Sequence, residues 1–259
     1  MNDETFAKAC STNVDVCMMY RFSASGEMSM AYIAEDKITN PIEKQKVKAV
    51  LAECNRRNRR PLWILKRVMD VTLSLIALVI LLIPMLIIYV AIFLEDHHDP
   101  IFRQVRVGRF GKEFRMYKFR TMVPNAEELK QTLADKNEMD GPVFKIENDP
   151  RITRGGKFLR KTSLDELPQL INVLKGDMTL IGPRPPLPSE VAQYNEFQKI
   201  RLIVTPGLTC LWQVAPKRNE ISFEQWVEMD IDYILHRSVW MDISIVFRTV
   251  YVMLCGEGR

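Results

Sequence analysis

The chain has 259 residues, 47% of them hydrophobic and 26% charged, with a formal net charge of +4. This composition excludes a disordered chain, a collagen-like repeat and a coiled-coil rod, and the length allows one large domain or one domain with an appendage. A mean hydropathy of -0.08 argues against a polytopic membrane protein, but that average hides an uneven spread of apolar residues.

Residues 1–60 read as a polar lead, disordered in part, with weak strand signals at Cys17–Phe22 and Met30–Ile33. The five cysteines (Cys10, Cys17, Cys54, Cys210, Cys255) form no CxxC pair, which is the pattern of thiols in a reducing compartment. No apolar run occurs in the first few dozen residues, so no secretory signal peptide is expected. The lead closes on Arg56, Arg57, Arg59 and Arg60, followed by Lys66 and Arg67.

The composition then breaks. Val71–Leu94 carries no charge and shows no polar face. A helix over that span reaches ~36 Å, against ~30 Å for a hydrocarbon core. Pro84 lies near its middle, where it removes a helical hydrogen bond and favours a kink. Basic residues stand on both flanks, with Arg103, Arg106, Arg109, Lys112, Arg115, Lys118 and Arg120 downstream. Basic residues beside a membrane segment favour the cytoplasmic side, and a straight span cannot satisfy both flanks. Charge alone leaves two readings: a kinked span, or a helix broken at Pro84 that enters and leaves on one face.

The remainder, domain 61–259 with this segment, reads as α+β. Ile101–Val107 and Glu113–Phe119 alternate around Gly108–Gly111 as a hairpin. Helices are expected at Asn125–Ala134, from Gly155–Arg160, through Leu167, Leu170, Ile171 and Leu174 up to Gly176, at Ser189–Ile203 and at Phe223–His236. A last apolar stripe runs through Ile243, Val246, Phe247, Val250, Tyr251 and Leu254. Gly182–Pro186 is an irregular loop, Thr205–Gly207 a turn and Leu208–Val214 a short strand.

The densest chemistry lies in Asp149–Pro168. Asp165 and Glu166 stand at the start of an apolar helix, since Pro168 suits a first helical turn. One reading is structural: Ser163-x-x-Glu166 matches a capping box. The other is a carboxylate nucleophile, kept ionised by helix amides and by Arg160, that attacks phosphorus to give an acyl phosphate. Oxygen ligands and a diphosphate would point to Mg2+ at Asp165. Lys118 and Arg120 fall on one face if their segment is a strand, and Arg184 is stiffened between prolines; these are candidate phosphate ligands or solvated charges. His97 and His98 lack a third ligand, no P-loop occurs, and no nucleic-acid motif accompanies the basic residues.

Taken together, the motifs resemble the bacterial sugar transferase family, the monotopic polyprenyl-phosphate phosphoglycosyl transferases. They are Lys66-Arg67-x-x-Asp70, the Pro-broken helix, Pro100-Ile101-Phe102-Arg103-Gln104-x-Arg106-x-Gly108 and Lys118-Phe119-Arg120-Thr121-Met122. There follow Leu159-Arg160-Lys161-Thr162-Ser163-x-Asp165-Glu166-Leu167-Pro168, Gly182-Pro183-Arg184-Pro185 and Pro206-Gly207-Leu208-Thr209-x-Leu211-Trp212-Gln213. The resemblance implies transfer of a sugar-1-phosphate from a UDP-sugar to undecaprenyl phosphate with release of UMP, as the first membrane step of exopolysaccharide, capsule or O-antigen synthesis. It implies Asp165 as nucleophile associated with Mg2+, Glu166 as its partner, and Arg160, Arg184, Lys118 and Arg120 as phosphate-handling residues. It also implies a re-entrant helix broken at Pro84, interfacial amphipathic helices, and a catalytic face on the cytoplasmic side of the bacterial inner membrane. Lipid bilayer, no nucleic acid and a homodimer complete the expected partners. Ile83, Cys210 and the Val-Ala-Pro-Lys-Arg-Asn run after Gln213 depart from common family residues.

Overall fold

The computed structural model describes residues 16–22, 28–34, 37–57, 60–133, 137–138, 141–144, 146, 148–216, 218 and 220–255. Within the first sixty residues, β1 (Val16–Phe22) pairs antiparallel with β2 (Met28–Ala34). Helix α1 (Pro41–Arg57) follows, its start held by Asn40 Oδ1 accepting from the Ile42 amide at 3.0 Å. Val47, Val50 and Leu51, at helical spacing, are buried in the main core. Packing therefore continues across the boundary drawn at residue 60. So few apolar residues in a polar stretch gave no periodicity to read. The expected Cys10 and N-terminal 1–15 lead lie outside the described residues.

Helix α2 (Arg60–Asp96) contains the apolar segment, with Pro84 inside it. The most apolar 18-residue window of Ile64–Asp96 has a mean hydropathy of 3.2 and is only 6% buried, so the helix is long and apolar enough to cross a membrane. Its protein-facing stripe is narrow. Near its start, Asp70 accepts from Thr179 Oγ1 (2.6 Å) and the Leu180 amide (3.1 Å), and Arg67 donates to the carbonyls of Val173 (2.6 Å) and Leu174 (2.8 Å). Near its end, Ile92 packs with Phe119, Leu159 and Leu167, and Asp96 takes both terminal nitrogens of Arg120. Both ends of the helix are thus fastened to the same unit, the part of the chain that follows it.

That unit begins with the hairpin β3 (Ile101–Val107) and β4 (Glu113–Phe119), in the register Ile101↔Phe119 to Val107↔Glu113. Helix α3 (Ala126–Thr132) follows, and an antiparallel bridge Met122↔Ile152 brings the segment before α4 (Arg154–Thr162) beside the exit of β4. The approach is close: a Cβ on Gly156 would lie 2.1 Å from the Thr121 carbonyl oxygen. Only glycine fits there. A 3-10 turn (Leu164–Glu166) leads into α5 (Gln169–Lys175), which ends on Gly176 at φ 90°. Then β5 (Thr179–Ile181) pairs in parallel with β6 (Gly207–Thr209), across the short α6 (Pro188–Val191). Helices α7 (Phe223–His236) and α8 (Val239–Leu254) close the described chain. The architecture is α+β, with small two-stranded sheets among helices.

Two expected elements are shorter than read. Ser189–Ile203 is not one helix: after α6, Asn195 and Gln198 exchange side-chain to backbone bonds (2.8 and 3.0 Å), and a 3-10 run, Gln198–Ile203, follows. Asparagine offers the backbone this alternative to helix. The strand expected to reach Val214 stops at Thr209. Cys210 Sγ donates to Gln213 Oε1 at 3.2 Å, and the chain turns into a 3-10 helix, Trp212–Val214. Trp212 and Trp226 stack with centroids 4.2 Å apart and are core residues, whereas Trp240 is 80% exposed.

Candidate active site

Asp165 and Glu166 sit on the 3-10 turn ahead of α5, with Asp165 8% exposed. The capping-box alternative is not realised. Ser163 holds φ 56°, in the left-handed region, and its side chain makes no cap bond. Its amide instead donates to the carbonyls of Arg160 and Leu159, closing α4. This sharp reversal between α4 and the turn sets the direction in which the two carboxylates leave the backbone.

Asn172 then aligns the turn with the hairpin. Fully buried, it accepts from the Tyr117 amide at 3.0 Å and donates to the Arg115 carbonyl at 2.8 Å. This lays α5 along β4, where Lys118 Nζ reaches Glu166 Oε1 at 2.7 Å. From the other side, Arg160 donates Nε to Thr121 Oγ1 at 3.0 Å. Burial pulls its guanidinium below the ordinary arginine range, and the charges of Asp165 and Asp149 pull it back. A half-buried cation against two carboxylates stabilises their ionised forms. Asp149 itself forms a forked pair with Arg151 (2.6 Å), and burial raises its carboxyl less than these bonds lower it.

Arg184, in the loop after β5, lines a small pocket with Pro186, Glu190, Tyr194 and Arg201. Its charge reaches Arg106, which burial and Arg184 together bring down to about 10, while Glu190 and Glu166 oppose the fall. Arg106 is 5% exposed and donates to the carbonyl of Pro185 (3.1 Å) and to Gln104 Oε1 (2.6 Å). Arg106 and Arg184 are thus close enough for their charges to repel, with the charges of Glu190 and Glu166 opposing that repulsion. Sequence reading placed Arg106 only within a basic cluster and a motif; its burial was the missing signal. Asn172 gave no sequence signal at all.

The structure thus gathers Lys118, Arg160, Asp165 and Glu166, with Arg106 within reach of the Glu166 charge. Arg120 is directed elsewhere. Just past the end of β4, it clamps Asp96 and donates to the carbonyls of His98 (3.3 Å) and Asp99 (2.9 Å). The strand-face argument that paired it with Lys118 ends with the strand at Phe119. Among the described residues no group of three or more His, Cys, Asp or Glu side chains is placed to hold a metal ion. The donor set at the turn is two adjacent carboxylates. That fits an ion which takes only one or two protein oxygens and completes its shell from a ligand's phosphates and water.

Comparison with known proteins adds a separate line. A family model described as bacterial sugar transferase matches residues 62–256. The galactosyl transferase CpsE of Streptococcus agalactiae is 49% identical over 200 residues, which are 75% of this chain and 43% of that protein. The undecaprenyl-phosphate galactose phosphotransferase of Salmonella typhimurium is 43% identical over 209 residues, 79% of this chain and 43% of that protein. The exopolysaccharide production protein ExoY of Rhizobium meliloti is 35% identical over 197 residues, 74% of this chain and 87% of that protein. The chain therefore matches less than half the length of the first two.

Proposed function

The chain belongs to the bacterial sugar transferase family, and from that premise we propose that it transfers a sugar-1-phosphate from a UDP-sugar to undecaprenyl phosphate. The observation that carries this reading is the buried Asp165 beside Arg160, next to a Glu166 held by Lys118. In the first step an Asp165 carboxylate oxygen attacks the sugar-bearing phosphorus. The bond from that phosphorus to the bridging oxygen breaks, and UMP leaves with the electron pair. In the second step a phosphate oxygen of the polyprenyl carrier attacks the same phosphorus and frees Asp165 as carboxylate. Arg184 and Arg106 suit the non-bridging phosphate oxygens, which carry negative charge throughout. Lys118 holds Glu166 in place. Asp165 and Glu166 would hold Mg2+, whose chemistry here is neutralisation of diphosphate charge.

The same reading seats the unit on a membrane. Both ends of α2 are fastened to one extramembrane unit, through Arg67 and Asp70 at one end and Asp96 at the other. A span would put ~30 Å of hydrocarbon between those ends. Their shared attachment supports entry and return on one face with Pro84, which lies inside the continuous helix, as the expected point of bending, and the flanking basic residues favour the cytoplasmic face. Cysteines introduced at positions 68 and 102 are both expected to label from the cytoplasmic side alone; labelling from opposite sides would refute re-entry.

The activity is tested by incubating membranes bearing the full chain with undecaprenyl phosphate, Mg2+ and a series of UDP-hexoses and N-acetylated UDP-sugars. UMP is the expected product from at least one donor. Release of UDP instead would mean a glycosyl transfer that leaves the phosphate behind, and release of neither would exclude the reaction.

A further inference from the structure

A cavity of about 520 Å³ lies away from Asp165, between the first turns of α2, the end of α5 and the start of α8. None of the site residues described above lines it. Its walls are of two kinds. Leu65 and Leu73 of α2 face Val239 and Phe247 of α8, and all four are exposed to between 43 and 72%. A water-facing cleft does not gather so much bare aliphatic surface from two helices. The charged part of the lining is basic on balance, with Lys66, Arg67, Arg109, Lys175 and Arg237 against Asp70 and Asp242.

The acids are engaged within the fold. Asp242 takes Lys66 at 2.8 Å and the Tyr233 hydroxyl at 2.8 Å, and Asp70 holds β5. Arg67 and Lys175 instead donate to uncharged oxygens, the α5 carbonyls and the Tyr117 hydroxyl at 2.7 Å. Those bonds do not cancel a unit of charge. The cleft therefore joins a positive, hydrogen-bonding end to an open apolar end. It stands where α2 passes from its charged start into its uncharged segment, the depth of a lipid headgroup.

We propose that this cleft binds one anionic glycerophospholipid. The phosphodiester would lie among Lys175, Arg67 and Arg237, and an acyl chain along the α2 and α8 walls. A volume of this size is within the range of small-ligand sites. A zwitterionic lipid brings no net charge to the basic end, so charge complementarity selects the anionic one. The lipid would brace α8 against α2 without entering the reaction. This proposal rests on the membrane seating argued above.

The test uses the full chain, delipidated and reconstituted into nanodiscs of phosphatidylcholine with or without phosphatidylglycerol. The disc is then released, and retained lipid is counted by native mass spectrometry. The wild type is expected to keep one phosphatidylglycerol in preference to phosphatidylcholine. The Lys175→Gln/Arg237→Gln variant is expected to bind it roughly thirtyfold more weakly, at about 1 kcal/mol per basic side chain facing an anionic lipid. UMP release in saturating substrate is expected to stay at the wild-type level. Val239→Asp, which alters only the apolar wall, is expected to reduce retention as well, and thermal unfolding confirms that either variant is folded. Equal retention of the two lipids, undiminished retention in the double variant, or displacement of the lipid by added polyprenyl phosphate would overturn the site. A wild type that joins no bilayer of either composition would overturn the membrane seating, and the lipid site with it.

Discussion

Asp165→Asn is expected to abolish UMP release, lowering turnover by roughly 10⁴-fold or more, as loss of a covalent nucleophile does in other enzymes. The substitution keeps the shape of the side chain and removes its negative charge. An amide nitrogen or oxygen does not attack phosphorus at a useful rate, so no phosphosugar intermediate forms. The fold is expected to survive. Arg160, which faces Asp165, also faces Asp149 and keeps its bond to Thr121. A thermal unfolding midpoint within a few degrees of wild type, together with loss of UMP, would separate chemistry from stability. Turnover within tenfold of wild type would remove Asp165 from the nucleophile's role. The same protein incubated with labelled UDP-sugar alone should carry no covalent label, while the wild type should.

Arg201→Met is expected to produce the largest loss of stability, about 3–5 kcal/mol. Arg201 pairs with Asp230 deep in the main core, with side-chain exposures of 3 and 1%. Burial disfavours charge on both partners. It pushes the Asp230 carboxyl up to about 6 against the pull of Arg201, while the charge of Asp230 keeps the guanidinium protonated. Removing Arg201 strands a carboxylate among aromatic side chains. Replacing both partners, as Arg201→Met/Asp230→Leu, is expected to recover most of the loss, because no isolated charge is left behind. A single variant that unfolds at the wild-type temperature would mean that the pair carries no such load.

The pH dependence has a definite sign. A carboxyl whose folded pKa lies above its unfolded value binds more protons in the folded chain. Stability therefore falls as pH rises from near 4 to the folded pKa. With Asp230 at about 6 in the wild type, this loss runs through pH 6 and levels off about a unit above it. In Arg201→Met the folded pKa rises further without its partner, so the variant's deficit is expected to be smallest in acid and to keep growing above pH 6. Thermal unfolding of both proteins between pH 4 and pH 8 measures this directly.

Local signals carried much of the fold. The β3–β4 hairpin follows from its alternation and the glycines at its tip, and α7 matches the periodicity of Phe223–His236 to the residue. Gly176 stops α5 where a left-handed residue was required. What failed was whatever depended on distant contacts. The α1 helix shows its apolar face only because residues far along the chain bury Val47, Val50 and Leu51. The Asn195 turn and the Cys210 turn replaced a helix and a strand through side-chain bonds that propensity does not register. At the site, the motif order pointed to Asp165 and Glu166. It could not say that Ser163 would adopt a left-handed conformation, that Asn172 would fix the turn to β4, or that Arg120 would serve the end of α2. Spacing places residues on an element; it does not state which partner the fold delivers to them.

The clasp between Asp70 and Leu180 joins residues 110 positions apart. At ~5–20 residues per second of synthesis, about 5–20 s pass between the emergence of the two. Until Leu180 emerges, the start of the apolar helix has no clasp, although its far end can already meet Arg120. On the membrane seating proposed above, the bilayer receives the helix on its own hydropathy before that clasp forms. Translation sets the order in which the parts appear: the apolar helix first, the carboxylate pair next, and last the strand that clasps the start of the helix.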